Sequence, residues 1–192
     1  MNIVILEQIV FDTPLEMFTE RLRIQNKPAL IEEFAELLAE AKAIARPKVM
    51  FQVADIIESG EDYVVIAGQT FYSRKLTETL AKLKRVFPAI ATCGRELAEW
   101  ANGKDGVLAS FYAQVLCEAA MGCAQDYFAR YVAQHYQAKE ITYFLPGTYD
   151  WPLDEQAKLF ALLKDASVIG VELTPSGTMR PMKTVSAIYY EK

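Results

Sequence analysis

Residues 143–163 read YFLPGTYDWPLDEQAKLFALL, and this stretch decides the predicted fold. It begins at the end of an apolar, strand-like run, EITYFL at 140–145, and the segment PGTYDWP that follows predicts a turn. Pro152 suits the first turn of a helix, where its missing N–H costs nothing, and Asp150 can cap that helix. The stretch therefore predicts a strand, a turn and a helix in immediate succession.

The rest of the chain alternates between strand and helix patterns. Apolar residues recur at three- and four-residue spacing in the helical segments and alternate in the strand segments. The other predicted elements are a strand at 3–10, helices at 14–22 and 28–44, a hairpin of 48–54 with 63–72, a helix at 73–85, a strand at 86–94, a helix at 95–102, a long helix at 107–136, and strands at 168–173 and 182–190. Strands that return through hairpins, flanked by helices, predict an α+β fold with a mainly antiparallel, twisted sheet. We expect a single domain that spans residues 1–192.

The helix predicted at 107–136 is apolar on nearly every side over its first two-thirds, which is typical of a helix buried on most faces. Three polar residues, Gln114, Glu118 and Gln125, interrupt this pattern, and their spacing places them in one narrow stripe. The stripe has two interpretations. It is either the solvent-facing edge of the helix or the lining of a ligand cleft, in which the carboxylate of Glu118 needs a partner.

Charge and composition argue against nucleic acid and membrane partners. The chain has 192 residues, with 20 Lys and Arg against 25 Asp and Glu, and its net charge of -5 offers no surface for a phosphate backbone. Its first residues lack the basic head and the cleavage site of a signal peptide. No uninterrupted apolar run approaches the roughly 18 to 20 residues that a membrane-spanning helix needs. We therefore expect a cytoplasmic protein.

The sequence contains no familiar catalytic or metal-binding motif. Cys93, Cys117 and Cys123 form no CxxC pair, and we expect these three cysteines to be reduced. The single histidine, His135, does not favour a histidine-based metal site or a catalytic triad. The GxGxxG, HExxH and GxSxG motifs and the P-loop are also missing from the sequence. We therefore predict no catalytic residue and no metal ligand.

The segment PGTYDWPLDEQ at 146–156 resembles the signature of the activation domain of cobalamin-dependent methionine synthase and of small free-standing proteins related to it. The resemblance continues through IGVELTPSGTMRPMKTVSAI at 169–188 and is also seen at ATCGRELAEW, residues 91–100. Residues 1–45 are only compatible with it. The resemblance implies an antiparallel sheet flanked by helices, with one long buried helix, in a stand-alone protein.

The resemblance implies an accessory role rather than a complete enzyme. Activation domains of this family bind S-adenosylmethionine and dock over the cobalamin, which allows oxidised cob(II)alamin to be reductively remethylated. Such a domain contributes by holding the sulfonium methyl group near the cobalt. The expected ligand is thus S-adenosylmethionine, and the expected partner is a cobalamin-dependent methionine synthase or another corrinoid protein, which carries the cobalamin.

The resemblance also implies where the ligand is bound. The predicted cofactor-binding residues are Tyr143, Pro146, Gly147, Thr148, Tyr149 and, from the polar stripe, Glu118. Gly147 falls on a glycine at which the ligand approaches the backbone closely. The large enzyme has an RxxxGY pattern here, and this chain has Tyr143 at the arginine position and Thr148 at the tyrosine position. A phenol cannot replace the bidentate pairing of a guanidinium with a carboxylate.

Two other functions stay open at this point. The first is a module of the same fold that contacts a corrinoid protein but has lost S-adenosylmethionine binding, which the altered RxxxGY pattern motivates. The second is an unrelated enzyme that acts on a small molecule, because one fold can host many activities.

Overall fold

The computed structural model describes residues 2–192, and its sheet is organised around strand β6 (Arg85–Thr92). On one side β6 pairs with β10 (Thr184–Glu191), and on the other side it pairs with β2 (Lys48–Gln52) and β3 (Ala54–Ser59). The strands β2 and β3 follow each other in one continuous register along β6, with a break at Val53. The sheet therefore divides at this break into two branches.

All strand pairs in the described part of the chain are antiparallel, as predicted. The remaining strands are β1 (Ile3–Leu6), which pairs with β2; β4 (Tyr63–Ile66) and β5 (Gln69–Tyr72), which extend the sheet from β3; β7 (Ile141–Phe144), which pairs with β10; and β8 (Glu172–Leu173) and β9 (Met179–Arg180), which form a separate small hairpin. The eight-stranded sheet therefore has an edge at β7 and two further edges at β1 and β5.

Helices cover both faces of the sheet. They are α1 (Leu15–Arg21), α2 (Pro28–Ile44), α3 (Arg74–Leu80), α4 (Arg95–Asn102), α5 (Val107–His135) and α6 (Gln156–Leu163), with 3-10 turns at Leu153–Glu155 and Ala166–Ile169. Pro28 at the first turn of α2 and Gly103 at the end of α4 stand where the sequence analysis placed these helix boundaries. The predicted α+β fold is confirmed.

The two faces of β2 show how the sequence alternation builds the two core layers. Val49 and Phe51 point toward α5, where the Phe51 ring lies 4.8 Å from the Phe128 ring, centroid to centroid. Met50, between them, points to the other face and packs with Leu163 of α6. Because successive strand residues face opposite sides, one strand contributes to both layers.

The helices α1, α2 and α4 pack with the first half of α5 into a third layer. Phe34 of α2 is fully buried there, with its ring 5.1 Å from that of Phe18 and 5.0 Å from that of Tyr112, measured between centroids. Trp100 of α4 donates a hydrogen bond of 2.8 Å to Glu40 of α2. The N-terminal helices are thereby fixed to α5.

By length and composition alone, α5 could cross a membrane. In the fold it packs against β2, β6 and β7 on the sheet side and against α2 and α4 elsewhere. Ala113, Phe128 and Val132, which are spread along its length, are fully buried. These contacts make α5 the central helix of the fold, and the core helices of soluble proteins pass the same compositional test.

Three strand predictions were wrong. The predicted hairpin of 48–54 with 63–72 is not formed, because β2 pairs with β1 and β6, and β4 pairs with β3. The run 63–72 is not one strand but two, because Ala67 and Gly68 both have positive φ, 48° and 87°, and form a two-residue turn between β4 and β5. The run 168–173 is mostly not a strand. It begins with the 3-10 turn, and Gly170 at φ 76° redirects the chain into the two-residue strand β8.

The predicted role of Asp150 was also wrong in one respect, because it caps a different helix. Its carboxylate accepts hydrogen bonds from the Ser73 hydroxyl at 2.6 Å and from the Arg74 backbone N–H at 2.8 Å, at the start of α3. These bonds, the Ser73 bond foremost, lower the pKa of Asp150. Asp150 therefore ties the turn after β7 to α3.

Candidate functional site

The polar stripe of α5 borders two cavities. Gln114 lines the first, the α4–α5 cleft, which has a volume of about 460 Å³. Glu118 and Gln125 line the second, the α1–α5 groove, with a volume of about 410 Å³. Thr13, Met17 and Arg21 form the α1 side of this groove. All three polar residues of the stripe thus face space that a small molecule can enter.

Glu118 lies between two cations that come from distant parts of the chain. Its carboxylate accepts a hydrogen bond of 2.5 Å from the Arg21 guanidinium and one of 3.1 Å from the Lys183 ammonium group. These two bonds, Arg21 first, lower the pKa of Glu118, although partial burial acts in the opposite direction. The carboxylate is therefore ionised at neutral pH, and it supplies the groove with a fixed negative charge.

Gln125 connects the groove to the edge strand β7. Its side-chain amide donates a hydrogen bond of 3.2 Å to the phenol oxygen of Tyr189. Tyr189 is buried on β10, and burial raises the pKa of its phenol, so it stays neutral. Tyr143 pairs with Tyr189 across the two strands, with 5.3 Å between ring centroids, and 46% of Tyr143 is exposed. The Tyr143 ring is therefore accessible beside the α5 face of the sheet.

The turn that follows β7 is fixed by backbone geometry. Gly147 has a φ of 84°, a conformation that side chains disfavour, and its N–H donates to the Trp151 carbonyl at 2.8 Å. The Thr148 hydroxyl donates to the Leu145 carbonyl at 2.5 Å. Pro146 is buried beside them. The positive φ alone accounts for glycine at position 147.

Tyr143 and Tyr149 lie on opposite faces of β7. The Tyr149 ring is 5.5 Å from that of Phe144, centroid to centroid, and Phe144 belongs to the core layer on the α6 side. Tyr143 packs with Tyr189, on the α5 side. Tyr149 is 83% exposed and has a φ of 54°. Of the predicted site residues, Glu118 lines the α1–α5 groove, Tyr143 packs on the α5 side of the sheet, and Tyr149 lies on the other face.

The sequence analysis missed the two cations that hold Glu118. Arg21 is 97 positions before Glu118, and Lys183 is 65 positions after it. The one available signal was general, since a carboxylate among apolar neighbours requires a partner. This signal predicts that a cation is near Glu118, but it does not identify which one.

Lys183 lines the α4–α5 cleft and bonds to Glu118, which lines the α1–α5 groove. The walls of the cleft are one face of α4, the first half of α5 and the segment 180–183 before β10. Cys93 and Cys117, both buried and free, form part of its floor. The Cys93 thiol donates to the Gly94 carbonyl at 3.5 Å, and the Cys117 thiol donates to the Leu97 carbonyl at 3.7 Å. The interaction between the two thiols raises the pKa of Cys93 and lowers that of Cys117. Within residues 2–192 no group of three or more His, Cys, Asp or Glu side chains is arranged to hold a metal ion.

Comparison with known proteins identifies the fold. No protein-family model and no curated protein sequence matches this chain. Among solved structures, the MetH reactivation domain bound to AdoHcy (S-adenosylhomocysteine) is similar, with a TM-score of 0.74 and 16% sequence identity. The similarity covers 100% of this chain and 78% of that chain. The curved antiparallel sheet, its flanking helices and the long helix α5 thus form the fold of the MetH reactivation domain.

Proposed function

We propose that this protein assists a cobalamin-dependent methionine synthase, or a related corrinoid protein, and binds S-adenosylmethionine in the α1–α5 groove. The observation that carries the proposal is the Glu118 carboxylate, held between Arg21 and Lys183 beside a cavity. The fold supports it, because the similar MetH reactivation domain was solved with AdoHcy bound. The role in reductive remethylation of cob(II)alamin belongs to this proposal.

The groove has the charges and the size that such a ligand requires. S-adenosylmethionine carries a carboxylate, an ammonium group, a sulfonium centre and ribose hydroxyls, and when bound it supplies a transferable methyl group. Arg21 can pair with the ligand carboxylate, and Glu118 can accept hydrogen bonds from its ammonium group or hydroxyls. Met17 and Met121 provide apolar contact area. The volume of 410 Å³ falls within the range of about 300–1,000 Å³ that is usual for small-molecule sites.

Arg21 offers a reason why Tyr143 need not be an arginine. The RxxxGY pattern supplies a guanidinium from the end of a strand, and this chain has none there. The Arg21 guanidinium reaches the groove from α1 instead, where it pairs with Glu118 while 55% of its side chain is exposed. In this arrangement the protein makes and breaks no bond itself. Its residues bind and orient the ligand, which is catalysis by positioning.

Calorimetric titration tests the ligand assignment. We expect the full chain to bind S-adenosylmethionine and S-adenosylhomocysteine, and Glu118→Gln to weaken both by about ten-fold, because a charge-assisted hydrogen bond is lost. Glu36→Gln is the matched control, since Glu36 is an exposed carboxylate on α2. No heat with either ligand, or equal affinity in Glu118→Gln, would remove the proposal.

The placement of Tyr149 favours a second candidate function. Since Tyr149 lies on the far face of β7 and Tyr143 replaces an arginine, the strand end offers no cation to a ligand carboxylate. The protein would then contact a corrinoid protein without S-adenosylmethionine. Binding of a cobalamin-loaded corrinoid protein, with and without S-adenosylmethionine, separates the two candidates. Equal affinity in both conditions supports the second, and tighter binding with the ligand supports the first.

A further inference from the structure

Cys93 and Cys117 bring two thiols together in the α4–α5 cleft, and the proposed function uses neither. Cys93 directly follows β6, and Cys117 lies in the first half of α5. Both are fully buried and free, and both line this cavity of about 460 Å³. A single buried thiol usually acts as a small apolar side chain. Two thiols that meet beside a cavity can also react with each other, if an oxidant enters.

Both thiols contact the first turn of α4. The Cys93 thiol donates to the Gly94 carbonyl at 3.5 Å, and the Cys117 thiol donates to the Leu97 carbonyl at 3.7 Å. Gly94 caps α4 and Leu97 is three residues further on, so the two carbonyl groups belong to one helical turn. A thiol is a weak donor, and neither bond holds its sulfur atom firmly. The fold therefore brings the two cysteines to one place without giving either thiol a strong partner.

The two thiols also act directly on each other, which requires that their side chains be neighbours. For each thiol the other is the largest influence on its pKa, and the pKa of Cys93 is raised while that of Cys117 is lowered. Burial adds to the rise at Cys93 and opposes the fall at Cys117. The positive charge of Lys183 further favours the Cys117 thiolate. Cys117 is therefore the more acidic of the two, and the thiolate is the form of cysteine that attacks an oxidant.

We propose that Cys93 and Cys117 form a reversible disulfide when a hydroperoxide enters the α4–α5 cleft, which makes the pair a redox-responsive site that cross-links the end of β6 to α5. The inference does not depend on the proposed function, because neither cysteine lines the α1–α5 groove.

With hydrogen peroxide as the oxidant, the reaction has two steps. The Cys117 thiolate attacks one peroxide oxygen, an S–O bond forms as the O–O bond breaks, and the hydroxide that leaves takes up the thiol proton to become water. The Cys93 sulfur then attacks the Cys117 sulfur, an S–S bond forms as the S–O bond breaks, and the second hydroxide leaves as water with the Cys93 proton. Two thiols are oxidised to one disulfide, and one peroxide is reduced to two water molecules.

The cross-link joins the two segments that carry Glu118 and Lys183. Glu118 directly follows Cys117 in α5, and the Cys93 backbone N–H donates to the Lys183 carbonyl at 3.1 Å. The Lys183 ammonium group in turn donates to Glu118 at 3.1 Å. The disulfide would therefore form beside this ion pair and limit how far the two segments can separate.

Peroxide treatment of the reduced full chain tests the proposal. After blocking of the remaining thiols and proteolysis, mass spectrometry should find one peptide pair that joins Cys93 to Cys117 and has lost two hydrogen atoms, with Cys123 still free. Dithiothreitol should restore both thiols. The urea-denatured chain, in which all three cysteines can meet, is the control and should give mixed pairings. Free thiols at both positions in the treated native chain, or the same mixed pairings as in urea, overturn the proposal.

Variants assign a role to each cysteine. Cys93→Ala should lose the cross-link and leave Cys117 as a sulfenic acid, which dimedone traps. Cys123→Ala is the matched control, because Cys123 lies outside the cleft, with its sulfur 3.3 Å from the Thr13 hydroxyl, and this variant should form the cross-link like wild type. Dimedone labelling of Cys123 in place of Cys117, or loss of the cross-link in Cys123→Ala, would contradict the assignment.

Thermal unfolding shows whether the native fold accommodates the bond. The oxidised chain should unfold about 5–10 °C above the reduced one, because a disulfide restricts the unfolded chain. Dithiothreitol should reverse this shift, and Cys93→Ala should not show it. An unfolding midpoint that does not rise on oxidation counts against the proposal. The titration with S-adenosylmethionine uses the reduced chain, so the outcome of either experiment leaves the other proposal unaffected.

Discussion

Tyr143 and Tyr149 are six positions apart, yet each contacts a different core layer. Tyr143 packs on Tyr189 beside α5, and Tyr149 packs on Phe144 toward α6. The cause is the end of β7 at Phe144, after which the turn brings the chain around to the other face. Of the two tyrosines, only Tyr143 therefore lies on the α5 side of the sheet.

Tyr143→Arg tests whether the ligand extends to this residue. We expect the variant to bind S-adenosylmethionine about ten-fold more tightly than wild type, because a second guanidinium would be available to the ligand carboxylate. Calorimetric titration measures the change, and Tyr143→Phe, which keeps the ring, serves as the control. Unchanged affinity in Tyr143→Arg would show that the ligand does not reach β7.

The residues of the site differ in whether a local sequence pattern predicts them. The positive φ of Gly147, 84°, is consistent with the turn predicted at PGTYDWP, whereas its role toward a ligand stays a prediction. The need of Glu118 for a partner also followed from its apolar neighbours. Arg21 and Lys183 could not be predicted, since nothing in the sequence specifies which distant cations the fold brings to α5.

The helix α3 shows how one element depends on another that is remote in sequence. It has seven residues, too few to be stable alone, and its first N–H groups need acceptors. Ser73 accepts from the Leu76 N–H at 2.9 Å, and Asp150 accepts from the N–H groups of Arg74 and Lys75. The start of α3 is therefore completed by the turn after β7.

Asp150→Asn should destabilise the protein in a pH-dependent manner. At pH 7 we expect the unfolding midpoint to fall by about 2–4 °C, because the amide is a weaker acceptor at the helix start. The pKa of Asp150 is lowered in the folded state, so its stabilisation is complete above the ordinary value of 3.8 and is lost as the pH falls through the folded-state pKa. Thermal unfolding of both proteins from pH 7 to pH 2.5 measures this.

In those measurements the two curves should converge at the acidic end. Asp154→Asn is the control, because Asp154 is exposed and lies in the neighbouring 3-10 turn. A difference between wild type and Asp150→Asn that persists unchanged at pH 2.5 would contradict the electrostatic explanation.

The prediction of helices and strands succeeded where the apolar pattern continues over many residues. It failed where turn geometry determines the structure. The α5 pattern extends over 29 residues and left little ambiguity. The run at 63–72 lacks a Gly-Gly or Asn-Gly signal, and Ala67 adopts a positive φ that its residue type does not indicate. Asp150 was assigned to the wrong helix, because a carboxylate that caps a helix 75 positions away leaves no local pattern in the sequence.

At the scale of the whole molecule, α5 joins two core layers. Its first half packs with α1, α2 and α4, and its second half packs on the sheet through Phe128 and Val132. The antiparallel sheet with its flanking helices could be predicted from the spacing of apolar residues and from the turn residues between strands. The division of the sheet at Val53 could not. That division arises because β6 is longer than either of its neighbours on that side, so two strands share it.

Phe34→Ala tests whether the helical layer and the sheet unfold as one unit, as expected for a single domain. Phe34 is fully buried, and its truncation should lower the free energy of unfolding by about 3–5 kcal/mol. Trp100 lies in the helical layer and Trp151 lies in the layer on the α6 side of the sheet. Urea unfolding of variants that keep only one tryptophan therefore reports on each layer separately.

In a single domain, Phe34→Ala should shift the Trp100 and Trp151 transitions equally. Met17→Ala is the control, because 61% of Met17 is exposed and its truncation should have little effect. A shift of the Trp100 transition alone would mean that the N-terminal helices unfold independently of the sheet.

Lys183 borders the α4–α5 cleft and at the same time bonds to Glu118 in the α1–α5 groove. One ammonium group cannot give its full charge to two anions, so an anion that drew Lys183 into the cleft would leave Glu118 paired with Arg21 alone. The cavities are then linked thermodynamically, and the factor by which one ligand alters the affinity of the other is the same in both directions.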